Sequence, residues 1–365
     1  MFLVSFCSAQ SYCHIFFDGT TNDKTQGTNV WNMFNNMPGI PVSYSPPGLN
    51  KDNADAIFKS MDNHRSVYVP GVGTSLTLTT LQKNTQTATG SGMEKRAILG
   101  YQYIIDACEK DFGSKYVIKI IGFSRGATTA RMFATYISLY GISASNTEIG
   151  ANGMTRFETT FLNPTVASTV GRMPVIEFLG LFDSVASIGT TRRLDPDNLP
   201  TLPPPYGMEL YLAKMSLKIP SMVVKVAHAV ALNEYRTMFE YTPIAAGNPN
   251  WKEKFFMGSH GDIGGFLNNK RQEITQSWMV RKGMSQVLGN LMYSRSTILS
   301  LVGVDMYDSN KEITAKAGTK PRPVDFTRVH FIVYHAAVKA KLAQVDQLLD
   351  HDTAFAAIAT IQKNQ

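Results

Sequence analysis

Apolar residues fall into short dense runs along this chain, and each run ends at turn-forming residues. The first is Tyr12-Cys-His-Ile-Phe-Phe17, which stops at Asp18-Gly-Thr20; a second, Ser66-Val-Tyr-Val69, stops at Pro70-Gly-Val-Gly-Thr74. Tyr116-Val-Ile-Lys-Ile-Ile121 and Val175-Ile-Glu-Phe-Leu-Gly-Leu-Phe182 are almost continuously apolar, the pattern of strands covered on both faces of a parallel sheet. Further strand-like runs lie at Phe255-Phe-Met257 and Val329-His-Phe-Ile-Val-Tyr334. Between these runs the period changes. Within residues 94–112, Ile98, Leu99, Tyr101, Ile104, Ile105 and Cys108 recur at helical intervals. Residues 127–140 read as a second helix and 223–239 as a third, while the Pro-, Gly- and Ser-rich residues 38–50 read as loop.

Strands alternating with helices predict an α/β fold: a mostly parallel sheet with helices on both faces. The chain of 365 residues is expected to form a single such domain. Residues 190–225 carry Pro200, Pro203, Pro204, Pro205 and Pro220 around an apolar, partly amphipathic piece, Tyr206 to Ile219. This stretch is expected to be a lid-like insertion over the sheet.

Composition narrows the class. A hydrophobic content of 44% with 17% charged residues describes a chain that buries a core and excludes a disordered one. The net charge is +7, but the basic residues are dispersed and no nucleic-acid motif accompanies them, so no nucleic-acid partner is expected. Cys7, Cys13 and Cys108 make no disulfide framework and match no zinc or redox spacing, although one bridge remains open to them. The N-terminal apolar residues run into the first strand without a preceding basic residue. A cleaved signal is therefore not expected, and if the protein acts outside the cell that makes it, another route must export it.

One pentapeptide carries chemistry. Gly122-Phe-Ser-Arg-Gly126 matches Gly-x-Ser-x-Gly between a strand and a helix, the context in which a sharp turn lifts a nucleophilic serine above a sheet. Ser124 is the candidate nucleophile, with the Arg125 backbone N–H as an oxyanion donor. Asp18-Gly-Thr20 offers a second donor from Gly19 or Thr20, and is equally readable as a positioning turn.

A serine needs a histidine base and an orienting acid. His260 stands in a Gly/Ser loop just past an apolar run, which suits a base; His335 and His351 are the alternatives. His14 lies in the first strand, His64 in a polar loop, and His228 in the helical pattern, where it reads as a packing residue. Asp183, at the tip of a strongly apolar strand, is the favoured acid. With it the chain order Ser124, Asp183, His260 is that of α/β-hydrolases. Asp262 is the alternative acid. Nothing calls for a cofactor, and one His with one Asp in the 259–265 loop is too few for a metal site.

Several blocks stand in fixed order. They are Phe17-Asp-Gly-Thr20, Val69-Pro-Gly-Val-Gly-Thr74, Gly122-Phe-Ser-Arg-Gly-Ala127 with Ala130-Arg131, Phe182-Asp-Ser-Val185, His228-Ala-Val-Ala-Leu-Asn-Glu234 with Arg236, and Gly258-Ser-His-Gly-Asp-Ile-Gly-Gly265. Together they resemble the α/β-hydrolase domain family that includes type VI secretion phospholipase effectors. Two departures are visible: Asp-Ser-Val where the family usually has Asp-Thr-Val, and Asn233 in the block before Glu234. The resemblance implies a Ser-Asp-His lipase acting on the phospholipid membrane of a target cell. It also implies export by a specialised secretion system, with secretion-spike and immunity proteins as partners. Against this stand a soluble small-substrate esterase and a non-catalytic interaction module with a hydrolase fold.

Overall fold

The structure is a computed structural model and describes residues 10–44, 56–74, 92–147, 171–186, 218–232, 234, 236, 239, 241–245, 247–256, 258–267 and 271–293. Eight described strands form one sheet in the order β2-β3-β4-β1-β5-β6-β7-β8. They are β1 (Ser11–Phe17), β2 (Val42–Tyr44), β3 (Ala56–Met61), β4 (His64–Val69), β5 (Tyr116–Phe123), β6 (Val175–Phe182), β7 (Lys225–Ala231) and β8 (Trp251–Phe256). From β4 across to β8 all neighbours are parallel, and β2 and β3 add an antiparallel edge beside β4. The mostly parallel α/β sheet expected from the apolar runs is present.

The sheet is covered on both faces because its central strands alternate between two cores. Ile15 and Phe17 of β1 and Ile118 and Ile120 of β5 share one core with Leu99, Tyr101, Phe133 and Ile137. Those four come from α2 (Met93–Tyr103) and α3 (Arg125–Tyr140). Phe16, Ile121 and Phe123 point the other way and pack with Val30, Met33 and Phe34 of α1 (Asn29–Asn35). On that face too lie Ile263 of α4 (His260–Gly264) and Ile274 and Trp278 of α5 (Arg271–Met279). After α2 the backbone passes through a π-helical segment, Ile104–Glu109. From it Cys108 forms a disulfide with Cys13 of β1, so the cysteines supply one bridge.

Three expectations need correction. Residues 225–231 form a strand, so His228 lies inside the sheet and not on a helix. The apolar spacing there resembles a helix because a strand buried on both faces shows no alternation. His64 opens β4 and is not in a loop; its ring stacks on Tyr12 and His14. The expected loop at 38–50 contains β2. The strand expected at 329–334 lies outside the described residues, as does all of the insertion expected at 190–225 before residue 218. Among the described residues no helix is long and apolar enough to cross a membrane.

Candidate active site

At the carboxyl end of the sheet each strand hands a backbone hydrogen bond to its neighbour. Ser124 N–H donates to Phe182 O at 3.0 Å, Asp183 N–H to Ala229 O at 2.7 Å, and Leu232 N–H to Phe256 O at 2.8 Å. Ser124 and Asp183 therefore follow directly on paired strand ends, Phe123 of β5 opposite Phe182 of β6. Open α/β sheets build their sites at this edge.

Both residues hold unusual backbone conformations. Ser124 has φ 57° and Asp183 φ 41°, a region that side chains other than glycine rarely occupy. The turn at Ser124 closes because its neighbours are small. A Cβ on Gly122 would lie 2.5 Å from Gly126 O, and one on Gly126 would lie 2.3 Å from both Phe17 O and Asp18 O. The start of α3 thus sits directly on the end of β1, and Ser124 O accepts Ala127 N–H and Thr128 N–H as the helix begins.

His260 opens α4 just beyond β8. Its Nδ1 lies 2.7 Å from Asp183 Oδ2, with both side chains buried. Asp183 Oδ1 accepts Ala231 N–H at 2.8 Å, which fixes the carboxylate against the neighbouring strand. With a carboxylate at Nδ1, that nitrogen carries the proton and Nε2 keeps its lone pair. The imidazole is bracketed by two aromatic rings: Phe123, next to Ser124, at 4.7 Å between centroids, and Phe239, edge-on at 4.9 Å.

The other candidates are placed as follows. Asp262 faces back to Ser259, accepting its N–H at 2.8 Å and its hydroxyl at 3.1 Å in a capping box for α4. The Asp183 carboxylate, not that of Asp262, is the one on His260 Nδ1. His335 and His351 lie outside the described residues. Arg125 is the first residue of α3, and its Nη1 donates to Thr20 Oγ1 at 3.2 Å. Gly19 N–H donates to Asp18 Oδ1 at 2.7 Å, so it is turned toward that carboxylate. Asp18 also accepts the Thr28 and Tyr68 hydroxyls on Oδ2. Its burial pushes the carboxyl from 3.8 up to about 6, against the pull of those three hydrogen bonds.

Two further features escaped the sequence reading. His228 faces Glu253 across the β7–β8 ladder: its Nδ1 lies 2.9 Å from Glu253 Oε2, and its Nε2 accepts Ser184 N–H at 3.0 Å. Both nitrogens are engaged, and burial holds its pKa below the ordinary value despite Glu253. Glu234 and Phe239 contact His260, and Arg236 contacts both of them, although the motifs assigned none of the three a role. Glu234 and Arg236 stood in one of the ordered blocks, and that was the available signal. Among the described residues no group of three or more His, Cys, Asp or Glu side chains is placed to hold a metal ion.

No curated protein matches the chain. Among solved structures, an uncharacterised protein from Pseudomonas aeruginosa aligns over 95% of this chain and 56% of its own, with 16% identity and a TM-score of 0.44. The Tle1 effector bound to the VgrG spike of the type VI secretion system aligns over 70% and 51%, with 20% identity and a TM-score of 0.39. The ferulic acid-bound Est1E from Butyrivibrio proteoclasticus aligns over 74% and 89%, with 12% identity and a TM-score of 0.35. The chain spans about half the length of the first two. The family model of the type VI secretion phospholipase effector Tle1-like catalytic domain matches residues 13–160 and 155–282. Because these two segments span well over half of its length, the chain belongs to the Tle1-like phospholipase effector family of type VI secretion, through the catalytic domain.

Proposed function

We propose that the chain is a serine phospholipase that cleaves acyl ester bonds of membrane phospholipid, delivered by type VI secretion into a rival cell. The observation that carries this reading is the buried Asp183–His260 hydrogen bond beside the Ser124 turn. Membership in the phospholipase effector family points to the substrate class.

In this reading Ser124 Oγ attacks the acyl carbonyl carbon while His260 Nε2 takes its proton. Asp183 holds the resulting imidazolium. The carbonyl oxygen becomes an oxyanion, met by the backbone N–H groups of Arg125 and Thr20. Thr20 is preferred to Gly19 because the Gly19 N–H already serves Asp18. Collapse of the intermediate breaks the ester C–O bond, and His260 returns its proton to the departing lysophospholipid oxygen. Water, deprotonated by the same nitrogen, then attacks the acyl-serine and releases the fatty acid. The chain's own groups supply every proton transfer. A secretion spike and an immunity protein are the partners that such a role entails.

The test is fatty acid release from anionic and zwitterionic phospholipid vesicles and from a short-chain soluble nitrophenyl ester, with wild type and Ser124→Ala. Lipid hydrolysis that disappears in Ser124→Ala is expected. Cleavage of the soluble ester alone points to a small-substrate esterase. Absence of turnover on any substrate by folded wild type removes the catalytic reading.

A further inference from the structure

We infer that Glu234 is a positioning residue for the base, fixing His260 from behind through its backbone, an inference that rests on His260 being that base. Asp183 fixes only one edge of the imidazole. The ring's remaining freedom is rotation about the side-chain bonds and movement of the α4 start. Glu234 acts on the second of these: its Oε2 accepts His260 N–H at 3.2 Å, at the first residue of the helix. The same carboxylate is clamped by Arg236, whose backbone N–H and Nε donate to Oε1 at 2.9 and 2.8 Å and whose Nη2 donates to Oε2 at 2.8 Å.

The network then returns to the ring. The Arg236 guanidinium lies over the Phe239 ring at 3.8 Å, and Phe239 meets the imidazole edge-on. Glu234 and Phe239 thus reach His260 by two routes, at its backbone and at its ring, and Arg236 joins them. Burial pushes the Glu234 carboxyl up, but the Arg236 hydrogen bonds and charge, with His260, outweigh it and hold the group ionised. A charged acceptor makes a stronger bond to the His260 N–H than a neutral one does. Glu234 does not touch the reacting atoms, so its effect passes through His260.

The experiment compares Glu234→Ala, Glu234→Gln, Ser124→Ala and His260→Ala with wild type on a short-chain nitrophenyl ester. It also records the far-downfield proton resonance of the Asp183–His260 hydrogen bond. Glu234→Ala is expected to lower kcat about 10–100-fold, as loss of an orienting partner does, with KM within about twofold. The downfield resonance should broaden or shift. Glu234→Gln keeps an oxygen for the His260 N–H but loses the charge that Arg236 clamps, so its kcat should lie between those of Glu234→Ala and wild type, with the resonance shifted; it carries the test if the alanine variant does not fold. A merely structural glutamate would lower melting temperature and leave kcat and the resonance of the folded fraction unchanged. That outcome, with Ser124→Ala and His260→Ala inactive, overturns the inference alone. Activity retained by His260→Ala overturns the underlying assignment of the base instead.

Discussion

At the scale of single residues the site is held in conformations that cost stability. Ser124 and Asp183 both sit at positive φ without being glycine, each at a price of about 1–3 kcal/mol. Asp18 adds an electrostatic cost. A carboxyl whose pKa is raised on folding binds its proton more tightly in the folded state, so stability falls as pH rises through that interval. For Asp18 the interval runs from 3.8 to about 6, and the loss from this one group is about 3 kcal/mol at most. Below pH 4 both states are protonated and the group is neutral in its effect; above 6 the full cost is present. The expected result is that wild-type stability relative to Asp18→Asn declines between pH 4 and pH 7, measured by urea unfolding at both values. A difference that stays constant across that range counts against a raised pKa at Asp18.

At the scale of elements, the site depends on how closely α3 can approach β1. Gly126 has ordinary helical backbone, so its requirement is space alone. An added Cβ would meet the carbonyl oxygens of Phe17 and Asp18, which are backbone atoms and cannot swing aside. Gly126→Ala must therefore lift the first turn of α3, moving Ser124 away from the Asp18–Thr20 turn. We expect it to lose about 1–3 kcal/mol of stability, as overpacked sites do. We also expect ester hydrolysis to fall further than the folded fraction does, read by steady-state assay well below the melting temperature. Activity that follows the folded fraction would mean that the turn tolerates the shift. The same element scale shows what sequence could reveal. β1, β5 and β6 were legible because their apolar runs end sharply at Asp18, Gly122 and Asp183. β7 was not, since Val226, Val230 and Ala231, flanked by other apolar residues, carry no period that separates a doubly buried strand from a helix. The placement of Ser124, Asp183 and His260 just past strand ends was legible because each follows an apolar run at a turn. The contacts of Glu234 and Phe239 with His260 were not, because they join residues more than twenty positions apart, which no local pattern encodes.

At the scale of the whole molecule, the sheet separates two cores, and the disulfide lies in one of them. Cys13 and Cys108 are both buried on the α2–α3 side and join positions 95 residues apart. A bridge across so long a loop restricts the unfolded chain and contributes roughly 2–5 kcal/mol. The proposed active site lies elsewhere along the sheet: Cys13 precedes Phe17 by four strand residues, roughly 13 Å. The bridge should then govern how stable the fold is, with little influence on the chemistry. Protein refolded under reducing conditions is expected to show a lower urea midpoint than the oxidised form. Its ester hydrolysis per folded molecule should be unchanged in the absence of denaturant. An equal midpoint for the two forms would mean that packing around the two sulfurs, not the covalent link, holds β1 to the π-helical segment. Loss of activity at full folding would mean that the strain of losing the bridge travels along β1 to the Asp18 turn. If the expected pair of results is found, the bridge acts on the stability of the fold alone, and the proposed chemistry at the opposite end of β1 is independent of the redox state of Cys13 and Cys108.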